Sequence, residues 1–270
     1  MNILLLPGLL LSILLAVPAS LYSQNLIKTM LRSEKLQQDR ALGIHLPSRY
    51  DSTKKYPVLY VLDGLSQSEH LARKFDSLSV TGSAPQTIVI AIPNMSAENR
   101  QRQLIPPYMK IDHEKMDSPF GEGDSFLAFM ETELFPFIER NYAASNVRAF
   151  AGNSRGGLLV MHSLLYKPEM FQARFCFSTP FWRENNIIVS KVSASVRAKD
   201  TLKTFLYVSA GEQETENIKN GLAAMAKTLK ENAPEGLIWH ADYTPDSNHQ
   251  TNAQNSATTA ILKWSEHLKR

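Results

Sequence analysis

The chain has 270 residues, of which 43% are hydrophobic and 20% are charged. This balance is that of an ordinary globular protein, long enough to bury a large core without disulfides or structural metals. The 29 basic and 26 acidic residues leave a net charge near +3, which is too mild to indicate a nucleic-acid partner. Cys176 is the sole cysteine, which excludes an intramolecular disulfide, and its apolar neighbours indicate core packing.

The first 23 residues contain no charged side chain, and residues 3–17 are almost wholly apolar. Small residues follow, which is typical of a secretory signal peptide with cleavage after Ala19 or Ser23. An N-terminal membrane anchor is the alternative, but prolines and a glycine shorten the apolar run. We therefore expect residues 1–23 to be a signal peptide and the mature protein to be periplasmic or secreted, without stable membrane insertion.

Predicted strands and helices alternate along the rest of the chain. Continuous apolar runs at residues 57–62 (PVLYVL) and 87–92 (TIVIAI) are typical of strands buried on both faces of a parallel sheet. Further strands are predicted at residues 40–46, 147–151, 175–178, 204–210 and 237–243, and helices at 124–138, 158–166, 218–229 and 257–268. The alternation predicts an α/β fold with a mostly parallel central sheet and helices on both faces. Residues 94–123 are polar and aperiodic, which predicts a long surface excursion.

Residues 152–156 (GNSRG) match the pattern Gly-x-Ser-x-Gly, with a predicted strand before it and a predicted helix after it. This context is that of the nucleophile turn of the α/β-hydrolase fold, where a sharp bend lifts a serine hydroxyl clear of the sheet. The alternative is a glycine-rich turn with no catalytic role. We interpret Ser154 as the nucleophile and residues 24–270 as a single α/β-hydrolase catalytic domain.

A serine hydroxyl needs a base, and His249 is the best-placed imidazole. In this fold the acid and then the histidine follow the nucleophile along the chain. His249 lies in a polar loop between the last predicted strand and the last predicted helix, whereas the other later histidines lie within elements or near the C-terminus: His162, His240 and His267. The alternative for His249 is a solvated loop histidine.

The acid of such a triad holds the histidine tautomer and stabilises the imidazolium. We expect it after the strand at residues 204–210, where residues 211–216 (GEQETE) supply three carboxylates. Spacing from the turn glycine favours Glu214. The alternatives that stay open are Glu212, Glu216, Asp242 and Asp246.

The oxyanion of a tetrahedral intermediate requires two aligned N–H donors. One should come from the residue after the nucleophile, Arg155, and the other from the loop after residues 57–62. In that loop Leu65 is the preferred donor and Gly64 is the second choice.

Three further residues are candidates for substrate binding. Arg100 and Arg102 are the basic pair of residues 94–123 and could grip an anionic part of a substrate, with a solvated loop as the alternative. Trp182 is expected to wall the pocket, with core packing as the alternative. The sequence contains no His-Glu-x-x-His, cysteine pair, calcium loop or Walker-type glycine loop, so no metal and no cofactor is predicted.

Four segments together resemble the esterase D and enterochelin-esterase type of α/β-hydrolase: residues 56–64 (YPVLYVLDG), 99–106 (NRQRQLIP), 152–157 (GNSRGG) and His249. The resemblance spans about residues 35–268. It implies a serine carboxylesterase that hydrolyses a small-molecule ester or lactone through an acyl-enzyme, as siderophore esterases do, and it supports Leu65 and Glu214.

The sequence departs from that group at four positions that are expected to line the pocket mouth: Asn153, Arg155, Gln103 and Gln250. None removes a catalytic group, but together they leave the substrate class open. Two other functions remain, namely an acyltransferase that uses the same residues and a non-catalytic binding protein on a hydrolase scaffold. The intact Ser154 and His249 argue against the binding protein.

Overall fold

The computed structural model describes residues 25–269, so the predicted signal peptide lies outside the described residues. The strands are β1 (Asn25–Ser33), β2 (Gln38–Leu46), β3 (Tyr56–Leu62), β4 (Ile88–Ile92), β5 (Ala144–Asn153), β6 (Ala173–Phe177), β7 (Thr201–Gly211) and β8 (Glu235–Thr244). The helices are α1 (Leu65–Val80), α2 (Ala97–Gln103), α3 (Gly123–Phe129), α4 (Phe135–Asn141), α5 (Arg155–Tyr166), α6 (Arg183–Arg197), α7 (Glu216–Asn232) and α8 (Asn252–Leu268). Within residues 25–269, no helix combines the length and hydropathy that a membrane span requires.

The eight strands form one sheet in the order β1-β2-β4-β3-β5-β6-β7-β8. β2 pairs antiparallel with both β1 and β4, and every other neighbouring pair is parallel. This topology confirms the predicted α/β fold with a mostly parallel sheet. Because the strands from β3 to β8 run in one direction, the loops that follow them all emerge at the same edge of the sheet.

Helices cover both faces of the sheet. On one face α1 and α8 pack on the strands, and the Trp264 ring meets the rings of Phe75 and Phe175 edge-on at 5.9 Å. On the other face α3, α5, α6 and α7 bury a larger apolar cluster. Every residue of β4 and β6 is buried, which explains the continuous apolar sequence of β4 and the apolar residues on both sides of Arg174 in β6.

Several elements were not indicated by the sequence pattern. β1 is an edge strand with exposed apolar side chains, and α1 and α6 are helices whose apolar faces are narrow. The predicted surface excursion at residues 94–123 was wrong in part, because it contains α2 and three fully buried side chains, Leu104, Ile105 and Met109. This segment is therefore partly helical and packs against the core.

Candidate active site

Ser154 occupies the sharp turn between β5 and α5. Its backbone has φ 54° and ψ −121°, a sparsely populated conformation that persists only where the surrounding structure imposes it. The Ser154 N–H donates to the carbonyl of Phe177 on β6 at 2.9 Å, which ties the turn to the neighbouring strand. The strained residue is the one at which sequence analysis placed the nucleophile.

Close contacts explain the glycines on either side of Ser154. A Cβ on Gly152 of the motif would lie 2.4 Å from the carbonyl carbon of Gly156, and one on the adjacent Gly157 would lie 1.9 Å from Thr179 Oγ1. A side chain at Gly152 would thus clash with the backbone of α5, and one at Gly157 would require Thr179 to move. Both glycines are therefore favoured sterically in the turn that presents Ser154.

His249 and Glu214 form a hydrogen-bonded pair beside this turn. His249 Nδ1 lies 2.9 Å from Glu214 Oε2, although the residues are 35 positions apart in the chain. Glu214 is 7% exposed, whereas the His249 ring is partly open to the cavity. Burial acts to raise the pKa of Glu214, but the hydrogen bonds from His249 and the neighbouring Ser178 hydroxyl outweigh it and hold this pKa below its usual range.

The loops that carry this pair are locked together. Gln213 N–H donates to the Ser247 carbonyl at 2.9 Å, and a Cβ on Gly211 would lie 2.0 Å from the same oxygen. The loop after β7 therefore lies directly against the loop after β8. This contact fixes Glu214 relative to His249 through the backbone as well as through the side chains.

The other candidate acids and histidines have different surroundings. Glu216 forms an ion pair with Lys219, and Glu212 and Asp246 are exposed. His162 is buried and lies 2.7 Å from Asp124. The residues that line the cavity at Ser154 do not include Asp242, His240 or His267.

The two expected N–H donors lie at the starts of α1 and α5, the helices that follow the neighbouring strands β3 and β5. β3 and β5 are adjacent parallel strands, and Val61 pairs with Ala151. Four residues after this pair, the segment after β3 enters α1 at Leu65 and the segment after β5 enters α5 at Arg155. The first N–H groups of a helix have no partner within it and are free to bind an anion. Both free N–H groups thus stand at the sheet edge where Ser154 is presented.

The loop before Leu65 is held by an ion pair. Asp63 has a positive φ of 68°, and its carboxylate accepts hydrogen bonds from Arg100 Nε at 2.6 Å and Arg100 Nη2 at 2.9 Å. A third bond comes from Asn94 Nδ2 at 2.8 Å. A Cβ on Gly156 would lie 3.1 Å from Asp63 Oδ2, so this carboxylate also rests against the turn of Ser154.

This arrangement corrects the expectation that Arg100 and Arg102 grip the substrate. Arg100 is committed to Asp63, and Arg102 pairs with Glu122 and, at 3.8 Å, with Glu98. Neither arginine is among the residues that line the cavity. Their guanidinium groups are held by carboxylates that lie far away in sequence or on the same helix.

The cavity at Ser154 has a volume of about 510 Å³, within the usual range of ligand pockets. Trp182 lines it, as expected, and its ring meets the His113 ring edge-on at 5.1 Å. The lining residues are His113, Ser154, Arg155, Pro180, Trp182, Arg183, Gln213, Glu214, Thr215, Ile218, Asn248, His249 and Gln250. Sequence analysis did not anticipate His113 or Arg183. No cluster of three potential metal ligands occurs among residues 25–269.

The fold and this geometry are those of a serine hydrolase on the α/β-hydrolase scaffold, and comparison with known proteins agrees. The family model described as "Putative esterase" matches residues 33–269, so the chain belongs to that esterase family and is a carboxylic ester hydrolase. Ferri-bacillibactin esterase BesA of Bacillus subtilis is 29% identical over 201 residues, covering 68% of this chain and 69% of its own.

Two further similarities concern a fungal relative and a solved structure. A siderophore triacetylfusarinine C esterase of Aspergillus fumigatus is 25% identical over 170 residues, covering 58% of this chain and 55% of its own. An IroE-like serine hydrolase of Shewanella oneidensis superposes with a TM-score of 0.82 at 26% identity, covering 89% of this chain and 80% of that one.

Proposed function

We propose that Ser154, His249 and Glu214 form the catalytic triad of this esterase. The observation that carries the proposal is that the strained Ser154 and the His249–Glu214 pair line one cavity. His249 accepts the Ser154 proton as the hydroxyl attacks an ester carbonyl. Glu214 holds His249 with Nδ1–H directed at the carboxylate and stabilises the imidazolium that forms.

In this mechanism the N–H groups of Leu65 and Arg155 bind the oxyanion of the tetrahedral intermediate. Their helices, α1 and α5, both begin at the sheet edge that presents Ser154, and the positive end of a helix favours a developing negative charge. His249 returns the proton to the leaving alcohol, and the acyl group stays on Ser154. Water then repeats the sequence and releases the carboxylic acid.

The proposed substrate is a small-molecule ester or lactone of the siderophore type. Relatives named for ferri-bacillibactin and triacetylfusarinine C hydrolysis support this class. A cavity of about 510 Å³ suits one arm of such a molecule and is open enough for the remainder to stay in solvent. We further propose that residues 1–23 direct export and that residues 24–270 act as one catalytic domain in the periplasm or outside the cell.

A panel of esters tests the proposal. The purified protein is assayed against a catecholate trilactone, a hydroxamate triester, a feruloyl ester and 4-nitrophenyl butyrate, with product masses recorded. We expect hydrolysis of at least one siderophore ester with the highest kcat/KM in the panel, and no turnover by the Ser154→Ala variant. Preference for the feruloyl or butyryl ester would overturn the substrate class, and equal turnover by Ser154→Ala would overturn the assignment of the nucleophile.

A further inference from the structure

The cavity wall contains two arginines that form no ion pair with a described carboxylate. Arg155 and Arg183 both line the cavity, and each is the first residue of its helix, α5 and α6. Arg183 is only 2% exposed, and its Nη2 donates to the Lys110 carbonyl at 2.6 Å while its Nε is buried without a partner. Two positive charges therefore lie beside the proposed nucleophile without a matching negative charge.

Other arginines of the fold contrast with this pair. Arg100, Arg102 and Arg148 each contact a carboxylate. Arg174 is fully buried but donates to six oxygen atoms of neighbouring residues. Arg40 is the described arginine most like Arg183, since it is fully buried without an ion pair, but it donates to both Gln103 Oε1 and the Pro93 carbonyl and does not line the cavity.

Three carboxylates lie close enough to influence the pair but are themselves engaged. Asp63 accepts hydrogen bonds from Arg100, Asp112 forms an ion pair with Lys115 at 3.6 Å, and Glu184 accepts from the Lys110 N–H at 3.4 Å. Burial lowers the pKa of both arginines; the charge of Arg100 lowers the pKa of Arg155 further, and the charge of Arg155 does the same to Arg183. Asp112 acts in the opposite direction on both, as do Asp63 on Arg155 and Glu184 on Arg183. The repulsion is a cost that an anionic ligand would relieve.

We propose that Arg155 and Arg183 form a subsite for an anionic oxygen group of the substrate, of which a carboxylate is the simplest example. Arg155 supplies the contact, since its side chain is half-buried at the cavity surface, and Arg183 supplies a fixed charge behind it. A guanidinium presents paired N–H donors that match a carboxylate or catecholate. His113 and Trp182 provide aromatic rings on the cavity surface against which an aromatic acid would pack.

The subsite deepens the proposed function and rests on it, because it predicts that the ester hydrolysed at Ser154 carries negative charge. Two matched ester pairs test it: 4-acetoxybenzoate with its methyl ester, and monophenyl glutarate with its methyl ester. The first pair places the carboxylate on the alcohol side and the second on the acyl side. We expect the anionic member of at least one pair to have about tenfold or higher kcat/KM, and this ratio to fall as salt is raised.

Variants separate the subsite from general effects on activity. In Arg155→Gln the anionic-to-neutral ratio of kcat/KM should fall about tenfold, whereas Arg155→Lys should retain most of it. Lys54→Gln, which removes an exposed cation at the opposite edge of the sheet, is the matched control and should keep the ratio. Because the ratio compares two substrates of one variant, any loss common to both cancels.

A binding measurement keeps the subsite testable without turnover. Ser154→Ala and Ser154→Ala/Arg155→Gln are titrated calorimetrically with both members of each ester pair. In at least one pair we expect the double variant to bind only the anionic member more weakly, by about tenfold. Equal affinity of Ser154→Ala for the two members of both pairs, or a kinetic ratio near one in both pairs, would overturn the subsite. Failure of the wild type to hydrolyse any ester would instead overturn the proposed function.

Discussion

Replacing Glu214 by glutamine removes one negative charge beside His249 while nearly preserving the size of the side chain. The atoms Glu214 Oε2 and His249 Nδ1 lie 2.9 Å apart, and Glu214 is 7% exposed. For charges about 4 Å apart at an effective dielectric constant of about 20, the attraction between carboxylate and imidazolium is roughly 4 kcal/mol. At about 1.4 kcal/mol per tenfold change in rate, Glu214→Gln should lower kcat/KM by about 1,000-fold.

The loss should appear in kcat, because the imidazolium forms only as the reaction proceeds. We would measure kcat and KM of wild type, Glu214→Gln and Glu214→Asp with 4-nitrophenyl butyrate at pH 7 to 8. Glu214→Asp keeps the charge and should recover part of the loss. A decrease of less than tenfold in Glu214→Gln would refute the reasoning, because His249 would then not depend on this carboxylate. Unchanged circular dichroism would show that the variant is folded.

Three further predictions concern activity, packing and pH. Arg100→Gln frees Asp63 from two hydrogen bonds, so the loop before Leu65, a proposed oxyanion donor, should loosen and kcat should fall about tenfold with little change in KM, measured on the same ester. Gly157→Ala places a Cβ 1.9 Å from Thr179 Oγ1 and should lower the free energy of unfolding by about 1–3 kcal/mol in urea titrations. The folded state lowers the pKa of Glu214, so this carboxylate should stabilise the protein above its ordinary pKa near 4.5. The stability difference between wild type and Glu214→Gln should therefore shrink as pH falls through the lowered pKa, and a constant difference from pH 7 to 3 would contradict it.

The parts of the site that sequence analysis predicted are those that local sequence determines. Ser154 is defined by a turn in which neighbouring glycines are sterically favoured. His249 and Glu214 follow from chain order, because parallel strands bring their loops to one sheet edge. Glu214 was favoured over the other carboxylates of residues 211–216 by its spacing from the turn glycine and by the family resemblance, and in the structure its side chain contacts the His249 ring.

The parts that were not predicted depend on contacts between distant residues. Arg100 and Arg102 were expected at the substrate because nothing nearby in sequence indicates that their partners lie 37 and 20 residues away. Arg183 and His113 were missed because α6 and the segment around residue 113 carry no motif. The burial of Leu104 and Ile105 was missed for the same reason, because it depends on contacts with distant residues and the surrounding sequence resembles a polar loop.

Covalent trapping tests the central claim most directly. The wild-type protein is treated with a fluorophosphonate, and the modified peptide is located by mass spectrometry. The proposed triad predicts a single phosphonylated residue, Ser154, with labelling abolished in Ser154→Ala and greatly slowed in His249→Ala. No labelling of the folded wild type, or labelling at another serine, would contradict the account.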